Sequence, residues 1–195
     1  MPDRTALVCC DDATVAGAVA GRLRADGLCV PVVPATASPE HAVADAVGDS
    51  GALDVLVCAV GQPAPAPFVG ADPARRYAEV MAHLTPAFAL VRAAAPALRR
   101  SGAGRLVFLG SGWTTADRPH ATAAAAVQGA VVALAKTLAR DLGPDGVTVN
   151  ELVADPAAPP APEVVAAAVS YLCSDAAGAV VGQLLTLGRG GPLHP

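Results

Sequence analysis

The chain has 195 residues, a formal net charge of −4, and a composition that is 53% hydrophobic, 15% charged and 3% aromatic. That length suffices for one domain with its own core, read here as a single unit over residues 1–195. Absence of a basic cluster excludes the electrostatic footprint of nucleic-acid binding, and so little charge predicts that part of the surface is covered by another subunit.

The opening MPDRTALVCC lacks the pattern of a signal peptide. Within it TALVC reads as a short buried strand. Asp12 can cap a helix over ATVAGAVAGRLRAD, which Gly27 closes. LCVPVV is a second strand, and its proline predicts an edge or an irregularity. SPEHAVADAV places Ser38 as N-cap and Pro39 as the first helical residue. LDVLVCAVG is a third strand. Asp72 and Pro73 open a long helix through about Leu98, bent by Pro86. GRLVFLG is the next strand, and a helix follows over Ala121–Leu142, ending at GPDG. VTVNELV, PEVVAAAVSYL and GQLLTLG complete the chain as strand, helix and strand, with Pro162 at the start of that helix.

Strands and helices alternate throughout, and the strands are apolar on both faces. That pattern indicates an α/β fold with a parallel sheet covered on both sides. Gln128 interrupts the longest apolar run, which argues against a membrane span. The five cysteines, Cys9, Cys10, Cys29, Cys58 and Cys173, show neither CxxC nor Cys/His metal spacing. They read as reduced residues of a cytoplasmic protein, with no metal site expected.

The second half carries a resemblance. GRLVFLGS, ALAKTLARDLGPDGVTVNELV and PEVVAAAVSYLCSDAAGAVVGQLLTLGRGG resemble successive segments of the short-chain dehydrogenase/reductase (SDR) family. This resemblance implies a Rossmann-like three-layer αβα sandwich with a mostly parallel sheet, shortened relative to the family. It implies that Ser111 stands for the catalytic serine. The family's cofactor turn, Thr-Gly-xxx-Gly-x-Gly, lets bare backbone approach a pyrophosphate at a helix N-terminus. Here the glycine positions fall on Cys10, Thr14 and Ala16, and Asp11 and Asp12 add negative charge. The family's Tyr-xxx-Lys pair falls on Ala124 and Gln128, its helix asparagine on His83, and its Asn-Asn-Ala-Gly on Cys58–Gly61. Its substrate-covering loop has shrunk to ADPAAPPAPE, and one strand–helix unit before LDVLV is reduced or missing. No cofactor-binding residues remain by this reading, and no cofactor is expected.

Ser111, His83, Gln128, Trp113, Asp117 and His120 are expected around the old active-site cleft, at the carboxyl ends of the strands. His83 is a candidate acid or base, and Ser111 a hydrogen-bonding or nucleophilic group. Asp117 or Asp155 would orient the histidine; His120 is a loop histidine and Trp113 a pocket or packing residue. GRGG resembles a terminal Asp-Gly-Gly turn of the family with Arg189 in place of the aspartate. In the resembling family the helices equivalent to 73–98 and 121–142 pair with their copies in another subunit. Between Gln128 and Lys136 the second of these has no polar side chain. A homodimer or homotetramer through those helices is therefore expected, or a heteromer with an active SDR.

Two functions follow. The first is a non-redox pseudoenzyme acting by assembly. The second is a cofactor-independent enzyme of bacterial, polyketide-like secondary metabolism that uses His83 and Ser111 on a small-molecule ligand for cyclisation, dehydration or isomerisation. Residual NAD(P)-dependent ketoreduction is a third reading.

Overall fold

The structure, a computed structural model, describes residues 4–111, 119–154 and 158–188. Strands β1 (Arg4–Cys9), β2 (Leu28–Cys29), β3 (Val32–Val33), β4 (Val55–Ala59), β5 (Arg105–Ser111), β6 (Thr148–Ala154) and β7 (Leu184–Leu187) form one sheet. The path runs β2-β1-β4-β5-β6-β7, with β3 also paired to β1, and every pairing is parallel. β2 and β3 are one edge strand broken at Val30–Pro31. The ring at Pro31 removes a ladder donor, and its carbonyl still accepts from the Val8 amide at 3.1 Å.

Helices α1 (Ala13–Ala25), α2 (Pro39–Val47), α3 (Pro73–Ser101), α4 (Thr122–Leu142) and α5 (Pro162–Cys173) cover the sheet. α1 packs with α5, and α2, α3 and α4 pack together. Strand alternation feeds the two cores. Leu7, Leu56, Leu106, Phe108 and Val149 face the three-helix side; Ala6, Val57, Val107, Leu109 and Leu152 face α1 and α5. Because both sets are apolar, the strands read as unbroken hydrophobic runs. The fold is the Rossmann-like αβα sandwich.

Local chemistry sets the helix starts. Asp12 and Asp72 have extended backbones, and their carboxylates accept first-turn amides. Pro73, Pro39 and Pro162 each stand at a first helical turn, where no amide donor is needed. Ser38 starts α2 by backbone geometry alone, without a side-chain cap bond. α3 runs to Ser101, three residues beyond the sequence expectation, and contains Pro96 as well as Pro86. It stops at Gly102, whose φ of 70° suits glycine.

The far edge is pinned by one side chain. Asn150 donates from Nδ2 to the Val180 carbonyl at 2.7 Å and accepts the Gln183 amide at 3.0 Å. α3 and the segment Thr122–Asp145 are long and apolar enough to cross a membrane by length and composition. Each instead lays an apolar stripe against the sheet: Leu84, Ala87, Leu90 and Val91 from α3, and Val127, Val131 and Ala135 from α4.

Candidate functional site

At the carboxyl ends of the strands lies a cleft of about 510 Å3. Val15, Ala59, Leu109, Leu152, Val165 and Leu187 supply apolar walls. Pro159 and Pro160, from the shortened connection between β6 and α5, also line it. Its polar lining comes from Cys10, Asp11 and Asp12, at the turn from β1 into α1.

That turn is closed by its own side chains. Asp12 Oδ1 accepts the amides of Thr14 at 2.9 Å and Val15 at 3.1 Å. Asp11 Oδ1 accepts the Ala35 amide at 2.8 Å, tying the turn to the segment after β3. A first helical turn carries unsatisfied amides and a partial positive charge, and these would hold a phosphate. Here the Asp12 carboxylate holds two of them, the amides of Thr14 and Val15. A dinucleotide does not fit this arrangement: its diphosphate would meet two carboxylates and two amides already in use.

Gln128 lies elsewhere than expected. It is 2% exposed and is not part of the cleft wall. Its Nε2 donates to Oε1 of Glu151 at 2.6 Å, and Glu151 is itself 1% exposed on β6. Oε2 of Glu151 has no hydrogen-bond partner among the described residues. Burial pushes the Glu151 carboxyl up to about 7; the Gln128 hydrogen bond and the Lys136 charge pull it down less strongly. Glycine at position 110 makes room for the pair. A Cβ there would stand 2.6 Å from Glu151 Oε1 and 2.7 Å from Gln128 Oε1. So Gln128, which the resemblance sets at the family's lysine position, is sealed on the sheet's three-helix side by an acid that the sequence reading did not single out. The signal was present: a lone carboxylate inside the apolar run VTVNELV.

His83 is half-buried on α3 and packs on Gly61, where an added Cβ would lie 2.9 Å from its Nδ1. The glycine kept from the family's motif therefore admits an imidazole. Gly61 lines the cleft; His83 is not part of the lining. His120 is exposed, with a φ of 70°, and its carbonyl accepts the Ala66 amide at 3.0 Å. No hydrogen bond joins His83, Gln128 and His120 among the described residues. Ser111 closes β5, but its side chain, like Trp113, Asp117, Asp155 and Arg189, lies outside the described residues.

The cysteines are all free; Cys29 is exposed and the other four are buried. Burial raises Cys9 to about 11 and Cys173 to about 12, and raises Cys10 and Cys58 as well. Protonated thiols are poor nucleophiles and poor metal ligands. Among the described residues no group of three or more His, Cys, Asp or Glu could hold a metal ion.

The sequence model of the short chain dehydrogenase family matches residues 5–160. The chain belongs to this family. Solved structures superpose over nearly the whole chain. The TT0495 protein from Thermus thermophilus is 25% identical, with a TM-score of 0.82, covering 95% of this chain and 97% of its own. Acetoin dehydrogenase YohF from Salmonella typhimurium is 21% identical, with a TM-score of 0.81 and coverages of 94% and 95%. A 3-ketoacyl-(acyl-carrier-protein) reductase from Brucella melitensis, solved with NADH, is 20% identical, with a TM-score of 0.81 and coverages of 94% and 96%. The last two likenesses speak to the fold. This SDR chain has a cleft at the carboxyl ends of its strands, with two carboxylates at the turn from β1 into α1.

Proposed function

We propose that this chain is a non-redox member of the SDR family that uses no nicotinamide cofactor and acts through assembly. It pairs with its own copies, as a homodimer or homotetramer, or with an active reductase. The observation that carries the reading is the Asp12 carboxylate on the Thr14 and Val15 amides. A diphosphate has to displace it and still face Asp11. At about 4 Å and an effective dielectric of about 20, each like-charge pair costs roughly 4 kcal/mol. Ala124 offers no phenol, and Gln128, committed to Glu151, offers no cation.

The helix exteriors support assembly. Tyr77 and Phe88 on α3 are exposed, as are Ala126 and Ala133 on α4, where Val132 and Leu134 are half-buried. Covering a few hundred Å2 of such surface at about 25 cal/mol per Å2 stabilises an assembly by several kcal/mol. The free thiols suit a reducing compartment, and we assign the protein to the cytoplasm.

The test is a calorimetric titration with NADH and NADPH. We expect no saturable binding in the submillimolar range. Saturation there overturns the reading and restores the third one, residual ketoreduction. A second reading is cofactor-independent cyclisation, dehydration or isomerisation with His83 and Ser111: a cleft of about 510 Å3 offers room for a small substrate, while His83 stands outside its described lining.

A further inference from the structure

We propose that the cleft is a binding site for a small, mainly apolar molecule with a cationic head, such as a protonated amine. The inference rests on the non-dinucleotide reading of that cleft, and adds a ligand class to it. Its volume of about 510 Å3 falls within the roughly 300–1,000 Å3 typical of small-molecule sites. The walls are aliphatic on three sides: α1 through Val15, the strand ends through Leu109 and Leu152, and α5 through Val165. Such walls favour an apolar body and leave orientation to the few polar groups present.

Those groups fix the sign of the head. Asp11 and Asp12, both exposed, line one end, and no Lys, Arg or His stands among the described lining residues. Each carboxylate spends Oδ1 on backbone amides. Neither Oδ2 takes a hydrogen bond or ion pair among the described residues. The α1 terminus, which would otherwise attract anions, is already neutralised by Asp12. An incoming anion therefore meets net negative charge. A neutral body without a head draws no charge-assisted contact from either carboxylate. An ammonium group answers both free oxygens with donors and opposite charge.

The experiment compares three probes with one body: phenylbutylamine, phenylbutanol and phenylbutyrate. Each is titrated into the full chain at neutral pH and low salt, with backbone amide NMR shifts as readout. We expect saturable shifts at Val15, Ala59, Leu109 and Gly110 with the amine, and binding about tenfold tighter than the butyrate, with the alcohol between. In the double variant Asp11→Asn/Asp12→Asn the asparagine oxygens can still cap α1, so the fold holds. There the amine and alcohol should bind alike, with the alcohol's affinity unchanged. Equal or tighter binding of the butyrate overturns the proposal, as do shifts outside the cleft, no saturation with any probe, or a preference that survives in the double variant. NADH binding is a separate outcome: it strikes the non-redox reading, whereas the amine-to-butyrate ratio judges the head-group claim by itself.

Discussion

A carboxyl group sealed in the interior, with one oxygen hydrogen-bonded to an amide and the other without a partner among the described residues, titrates as its burial dictates. For Glu151 the folded value of about 7 lies above its ordinary 4.5. Between those values the folded chain keeps a proton that the unfolded chain releases. Stability from this group is therefore full below about pH 4.5, falls as pH rises towards 7, and is level above that. A shift of this size corresponds to about 3 kcal/mol across the window. Urea denaturation at stepped pH should show Glu151→Gln with a flatter profile between those limits than the parent. An unchanged slope would mean that the carboxyl ionises freely in the folded chain. The neighbouring residues explain why this site was only half legible. That Gln128 cannot replace a lysine follows from its chemistry alone. That it bonds to Glu151, twenty-three positions away, depends on Gly110 opening the space between β5 and α4. The same holds for His83, placed on Gly61 by a contact between distant segments.

Helices and strands were legible where a local rule acts alone. Asp12, Ser38 with Pro39, Asp72 with Pro73, and Pro162 each mark a helix start, and each structural start lies there. Pro31 marked the broken edge strand. What composition could not show is which side chains hold one element to another. Asn150 does so for β7, whose four residues cap the sheet's far edge. Replacing it with alanine removes two hydrogen bonds and leaves an amide and a carbonyl short of partners, at a cost of about 2–4 kcal/mol. Hydrogen exchange should then quicken at Leu184–Leu187 well before it does in β5. Equal protection of β7 in the variant would show that packing, and not this tether, holds the edge.

For the molecule as a whole, the sheet's two cores leave Tyr77 and Phe88 on α3 and Ala126 and Ala133 on α4 exposed in the single chain. Light scattering at micromolar concentration should give a dimer or tetramer mass, and Phe88→Glu together with Ala133→Glu should reduce it to the monomer. A parent protein that is already monomeric would contradict assembly through these helices. The parallel sandwich itself was the most legible feature, because doubly apolar strands alternating with capped helices admit few other arrangements. The cleft was the least legible, since a hollow is defined by what several distant segments leave empty. The closed turn at Asp12 reaches beyond recognition. A helix that ties off two of its own leading amides draws that hydrogen bonding from within the chain, so on the non-redox reading proposed above its melting temperature should stay where it is when a nicotinamide dinucleotide is added.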